Sequence, residues 1–141
     1  MNCLKVVSIV AFLILISCQH KKQESLSESK KTTILKGENF DVFNSQFHSD
    51  SVFQISRVDF PIDGISVSGF DRHNWTKENW KFINVPVSEK NEIQNYAHSL
   101  VKTDTLIIER FWIPDSGFEV ERQFKLIKNK WFLVYYNNIN L

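Results

Sequence analysis

At 141 residues the chain has room for one ordinary domain and not for two. Seventeen Lys and Arg against sixteen Asp and Glu exclude a strongly basic nucleic-acid binder and an acidic disordered tail, while a hydrophobic fraction of 43% with twelve Phe and four Trp supports an aromatic core. Two Cys cannot build a disulfide scaffold.

Residues 1–17 read as an address rather than as part of the fold. Lys5 supplies a positive start, and Val6–Ile16 is an apolar run interrupted only by Ser8. Such a run falls short of the roughly 20 residues that a bilayer-spanning helix needs, and it suits a secretory signal. It closes on Leu15-Ile16-Ser17-Cys18, which resembles a bacterial lipobox. The resemblance implies that Cys18 is acylated and becomes the first residue of the mature chain, where acyl chains hold it on a lipid bilayer. Loss of 1–17 also takes away Cys3 and Lys5, which leaves no free thiol for catalysis and equal numbers of basic and acidic side chains.

From Gln19 to about Lys36 the sequence is polar and lacks aromatics, so 18–37 is expected to be a flexible tether and 38–141 a single domain. The first charges after the Cys are Lys21 and Lys22, which favours an anchor in the outer membrane facing the periplasm.

Within the domain, Phe40, Phe43 and Phe47 fall on one face of a helix over 38–48, which Asp50 and Ser51 end. Ser51–Phe60 is rich in β-branched and aromatic residues and reads as a strand. Pro61–Gly64 is turn chemistry, and Ile65–Phe70 is the returning strand of a hairpin. Asp71–Val87 suits a short strand near Trp80 or one helical turn at Lys77–Lys81. Ser88 then resembles a helix N-cap, with Ile93, Tyr96, Ala97 and Leu100 at helical spacing behind it. The last third reads as three antiparallel strands: Thr105–Ile113, Phe118–Ile127 and Trp131–Asn137.

The register of the last hairpins follows from charge. If Ile113 faces Phe118, then Glu109 meets Arg122 on one face and Arg110 meets Glu121 on the other, and a one-residue slip breaks both pairs. The Glu109 face also carries Phe111, Phe118, Val120, Phe124, Leu126 and Leu133, so it is expected to pack on the helices. A two-residue turn at Lys128-Asn129 adds Tyr135 to the polar row of Glu109 and Arg122, whereas a three-residue turn with a bulge puts Tyr136 there instead. Such a row is either a structural ion pair or the floor of a ligand pocket.

Two stretches, Phe43-Asn44-Ser45-Gln46-Phe47 and Asp50-Ser51-Val52-Phe53-Gln54-Ile55-Ser56-Arg57-Val58-Asp59-Phe60-Pro61-Ile62, resemble the opening of an uncharacterised Bacteroidota lipoprotein domain family. The aromatic hairpin after Trp131 is similar too. The resemblance implies an α+β, NTF2-like (cystatin-like) fold over about 38–137, with helices resting in a curved antiparallel sheet in the order α-β-β-(short element)-α-β-β-β. The family has no established activity, so it implies no catalytic residues, and the fold hosts enzymes and binding modules alike.

Chemistry-bearing motifs are sparse. His20, His48, His73 and His98 do not lie at metal-ligand spacing, and no phosphate loop is present, so neither a metal nor a cofactor is expected. His48-Ser49-Asp50 reads as a helix end. Asp71-Arg72-His73 is the densest polar cluster and a candidate acid/base site. Trp75, Trp80 and Tyr96 suit core packing or a pocket mouth. Trp112, Phe132 and Tyr136 are expected to form an outer aromatic patch if the protein works through its outer sheet face. The sequence favours a membrane-tethered envelope lipoprotein acting as a non-catalytic module for a small molecule or an envelope protein. The alternative is a small NTF2-like isomerase, dehydratase or hydrolase with an acid/base residue in the sheet cavity. If Cys18 carries the anchor, Cys18→Ala releases the protein into the soluble periplasmic fraction, and unchanged membrane partitioning contradicts the assignment.

Overall fold

The computed structural model describes residues 37–90 and 95–141. The expected signal peptide, Cys18 and nearly all of the tether lie outside the described residues.

Helix α1 (Phe40–Phe47) begins where Asn39 Oδ1 accepts from the Val42 N–H at 3.0 Å, and it buries Phe40, Phe43 and Phe47 as its spacing predicts. The next segment departs from expectation. Ser51–Ser56 is not a strand but a second helix, α2. Asp50, expected only to end the first helix, caps the second: its carboxylate accepts from the N–H groups of Val52 and Phe53 at 2.9 and 3.0 Å. Satisfying two otherwise orphaned donors outweighs the β-propensity of Val52, Phe53 and Ile55.

The expected hairpin is absent as well. Strands β1 (Val58–Asp63) and β2 (Ile65–Ser68) do not pair with each other. Both run parallel to the last strand, β7 (Lys130–Asn140), one after the other along the same edge. Pro61–Asp63 belongs to β1, and only Gly64 turns the chain, at φ 102°. A Cβ at Gly64 would lie 2.3 Å from the Tyr136 carbonyl oxygen, so the step between the two strands requires glycine. β2 then pairs antiparallel with β3 (Asp71–Asn74).

The helix expected from Ser88 to Leu100 is also overturned. Residues 91–94, including Ile93, lie outside the described residues, and Ala97–Lys102 is a strand, β4, antiparallel to β5 (Leu106–Ile113). His98, Leu100 and Lys102 alternate along it and face Phe111, Glu109 and Ile107. Pairing the edge of β5 satisfies a row of backbone groups that a helix would leave open.

β5, β6 (Phe118–Ile127) and β7 form the meander read from the sequence, and the β5–β6 register is the expected one at every position from Ile107 to Ile113. Between β6 and β7, Leu126 faces Trp131 and Phe124 faces Leu133. Gln123 then faces Tyr135, so Val134 is an extra residue, and Arg122 faces Tyr136. The sheet order is β3-β2-β7-β6-β5-β4, with β1 beside the first half of β7.

The core lies between α1 and one end of the inner sheet face. Phe124 is fully buried and meets the rings of Phe40, Phe43 and Phe47 edge-on or nearly so, at 5.4–5.7 Å. Arg57 forks onto both carboxylate oxygens of Glu38 at 2.8 and 2.9 Å and donates to the Trp131 carbonyl, tying the end of α2 to the start of α1 and to β7.

Residues 80–88 form an irregular strap across the other end of this face. Side chains supply its hydrogen bonds. Gln54, fully buried, donates to the carbonyls of Phe47 and Ile83 and accepts from the Ile83 N–H and the Trp80 indole N–H. Asn44 likewise donates to the Val87 carbonyl and accepts from the Val87 N–H. Gln54→Leu leaves four such groups without partners and is expected to cost about 3 kcal/mol or more. Hydrogen exchange should show the Ile83 amide losing protection before those of β5 and β6, and a simultaneous loss contradicts the role given to Gln54.

Candidate ligand-binding cavity

The site starts from a charge that the sheet register forces inward. Glu109 on β5 and Arg122 on β6 face each other on the inner side, with Glu109 fully buried and Arg122 only 3% exposed. A buried guanidinium needs acceptors, and each comes from a different element. Its Nε donates to Glu109 Oε2 at 2.5 Å, and its Nη1 donates to His48 Nε2 at 2.9 Å and to the Val85 carbonyl of the strap at 2.6 Å. Glu109 Oε1 accepts from the Ser88 N–H at 3.1 Å and lies 3.4 Å from His98 Nε2.

His48, at the end of α1, completes the arrangement. Its Nδ1 lies 2.8 Å from the Asn44 carbonyl, which fixes the proton on Nδ1 and turns the Nε2 lone pair toward Arg122. Burial first, and then the neighbouring Arg122 charge, lower its pKa to about 4, so the ring is neutral.

Arg122 Nη2 makes no hydrogen bond among the described residues, and Arg122 lines a cavity of about 380 Å³. The cavity stands over the end of the inner face that α1 does not cover. Phe111, Phe118 and Val120 lie beneath it, Trp75 bounds it on one side, and the strap residues Ile83 and Val85 close another. Its polar lining is Arg122, Tyr136, Asn138, Asn84 and Lys81. Tyr136, 8% exposed, stacks on Trp75 at 5.0 Å, and Trp75 Nε1 donates to the Tyr136 carbonyl at 2.7 Å. The Tyr136 hydroxyl makes no hydrogen bond among the described residues, and burial pushes its pKa up, so it remains a protonated donor at neutral pH.

Of the residues singled out in the sequence, Glu109 and Arg122 meet, and Tyr136 rather than Tyr135 completes their row. The bulge at Val134 turns Tyr135 to the outer face, where burial and the charges of Glu121, Glu119 and Asp63 raise its pKa. The same bulge removes Tyr136 from the expected outer aromatic patch. Trp112 and Phe132 instead lie beside Arg110 and Arg57, at 4.9 and 5.5 Å from the guanidinium carbons. Arg110 faces Glu121 in register but bonds the diagonal Glu119, while Glu121 accepts from Gln123. Asp71, Arg72 and His73 sit on the edge strand β3. Asp71 and Arg72 are exposed, and His73 packs its ring against Trp75 at 5.4 Å, outside the cavity lining. Trp80 packs on Phe60, Trp75 and Tyr136, and Tyr96 on Phe118. His48 and Gln54 also build the site, although no sequence motif marks them. The only signal was the Asn44/His48 pair, four residues apart beside the Phe stripe of α1.

A mixed, curved sheet with helices and a cavity on its inner face defines an α+β protein of the NTF2-like (cystatin-like) kind. A family model described as "-like" matches residues 38–141, and the chain belongs to that family. The chain is similar in structure to a cystatin-like protein from Bacteroides caccae, with a TM-score of 0.56 and 21% identity over 72% of this chain and 76% of that one. It is also similar to an NTF2-like protein from Bacteroides fragilis, with a TM-score of 0.50 and 16% identity; the match covers 75% of this chain but only 49% of that one. At these identities the likeness establishes the fold alone. No curated protein matches the chain.

Two outcomes test this geometry. Arg122→Met leaves Glu109 as an uncompensated buried charge and is expected to cost about 3–5 kcal/mol, whereas Arg110→Met, at a pair open to solvent, costs about 0–1 kcal/mol. Adding Glu109→Gln to Arg122→Met restores part of the loss in urea unfolding. His48 supplies the pH dependence. Between about pH 6.5 and 4 the unfolded chain takes up a proton that folded His48 refuses, so stability falls as pH drops through this window, by up to about 3 kcal/mol. His48→Gln flattens that slope in a series of urea midpoints against pH.

Proposed function

We propose that the protein is a non-catalytic binding module of the bacterial cell envelope, lipid-anchored through Cys18 and holding a small molecule between the strap and the sheet. The observation that carries this reading is the cavity of about 380 Å³ standing over Arg122 and Tyr136. A space of this size, walled by aromatic and aliphatic side chains and holding a few convergent polar groups, has the make-up of a ligand pocket. The lipobox-like Leu15–Cys18 and the polar stretch behind it support the anchored part of the reading.

Acid/base chemistry in this cavity would call on Glu109 or His48. Glu109 is fully buried and engaged by Arg122 and the Ser88 N–H, and His48 spends its free lone pair on Arg122. The remaining polar lining consists of a phenol, amides and a lysine, which position a ligand rather than shuttle its protons at neutral pH.

Titration with Nile red, an uncharged apolar fluorophore, tests the pocket. The protein is expected to bind it saturably with a blue-shifted emission. Val120→Trp, which fills the cavity floor, is expected to abolish this while circular dichroism remains that of the parent. Binding that survives the filled variant contradicts the assignment of the cavity.

A further inference from the structure

The lining specifies more than a cavity. Arg122 and Tyr136 occupy directly opposed positions of β6 and β7 on the inner face, and both line the same space. Opposed side chains of neighbouring strands lie within reach of one another. Each also brings an unused donor: Arg122 Nη2 and the Tyr136 hydroxyl make no hydrogen bond among the described residues. Two donors side by side in an apolar cavity ask for one acceptor between them.

Charge decides what kind of acceptor. The Arg122 positive charge is already balanced by Glu109 at 2.5 Å, and His48 on its other side is neutral. Lys81, the remaining cation of the lining, is solvent-exposed. A carboxylate placed against Nη2 would therefore be a surplus buried anion, with no second buried Lys or Arg among the described lining residues to pair with it. An uncharged oxygen takes both hydrogen bonds without that cost. Trp75, stacked on Tyr136, and Phe111 and Phe118 at the base give the rest of the ligand flat aromatic surfaces to lie against.

We infer that the cavity takes an uncharged, flat, largely apolar molecule whose carbonyl-type oxygen is held between Arg122 Nη2 and the Tyr136 hydroxyl. This rests on the binding reading above and names the ligand class for it.

Three naphthalene probes of nearly equal size test the inference with the whole chain at neutral pH, each titrated by ligand-observed NMR. 2-Acetylnaphthalene carries the carbonyl, 2-isopropenylnaphthalene replaces it with an isosteric alkene, and 2-naphthoate replaces it with an anion. The ketone is expected to bind about tenfold more tightly than either of the others. Tyr136→Phe keeps the ring on Trp75 and removes one donor, so it is expected to lower ketone affinity to within about threefold of the alkene while leaving the alkene unchanged. Tightest binding by 2-naphthoate overturns the inference in favour of an anion site. Equal binding of ketone and alkene, or a ketone preference that Tyr136→Phe leaves intact, overturns the acceptor position but leaves the binding reading standing. Binding by none of the three overturns both.

Discussion

The guanidinium of Arg122 cannot reach bulk water with most of its donors, and the architecture around the cavity follows from that. Its partners come from β5, from the end of α1 and from the strap, so one planar group sets the spacing of three elements that are far apart in the chain. A buried pair of this kind adds little net stability compared with a well-packed apolar alternative, but breaking it is costly. Its effect is geometric: Glu109 and Arg122 mark the boundary on the inner face between the aromatic core under α1 and the open space beyond it. His48 serves this arrangement by staying neutral. A protonated ring there would face a cation across 2.9 Å.

The strap is the second dependent element. Residues 80–88 form no strand of the sheet, yet the backbone groups of Ile83 and Val87 are bonded as a strand's would be, with Gln54 and Asn44 in place of a neighbouring strand. A primary amide carries the same donor and acceptor as a peptide group, so each of these side chains completes a short ladder with one strap residue. With Arg122 on the Val85 carbonyl and Glu109 on the Ser88 N–H, the cavity wall is held from both helices and from the sheet.

The sequence made some of this legible and concealed the rest for physical reasons. The Phe40–Phe43–Phe47 stripe and the β5–β6 register were readable because each rests on local periodicity or on two charge pairs that a slip would break together. Ser51–Ser56 was not, because Val52, Phe53 and Ile55 satisfy a strand pattern and the deciding group is the Asp50 cap. Tyr96, Ala97 and Leu100 matched a helical stripe, while His98, Leu100 and Lys102 matched a strand equally well, and a long-range partner, β5, decided between them. The bulge at Val134 moved the polar row from Tyr135 to Tyr136, an alternative that turn chemistry had left open. The roles of Gln54, Asn44 and His48 left almost no trace, because single buried polar side chains bonded across tens of residues have no period.

One feature of the strap bears on how such a protein diversifies. Apart from the Trp80 indole N–H, the groups that hold it by hydrogen bonds are main-chain atoms of Ile83, Val85, Val87 and Ser88, which every residue type except proline supplies in full. Trp80, Ile83 and Val87 of the segment also pack on the core, but Phe82, Asn84 and Val85 make no such contacts and form part of the cavity wall. The segment behaves as a cassette: exchanging Phe82, Asn84 or Val85 rewrites the shape and polarity of the pocket while its clamps stay in place. A chain that keeps the clamping residues therefore has a route to a cavity of different shape and polarity without a change of fold.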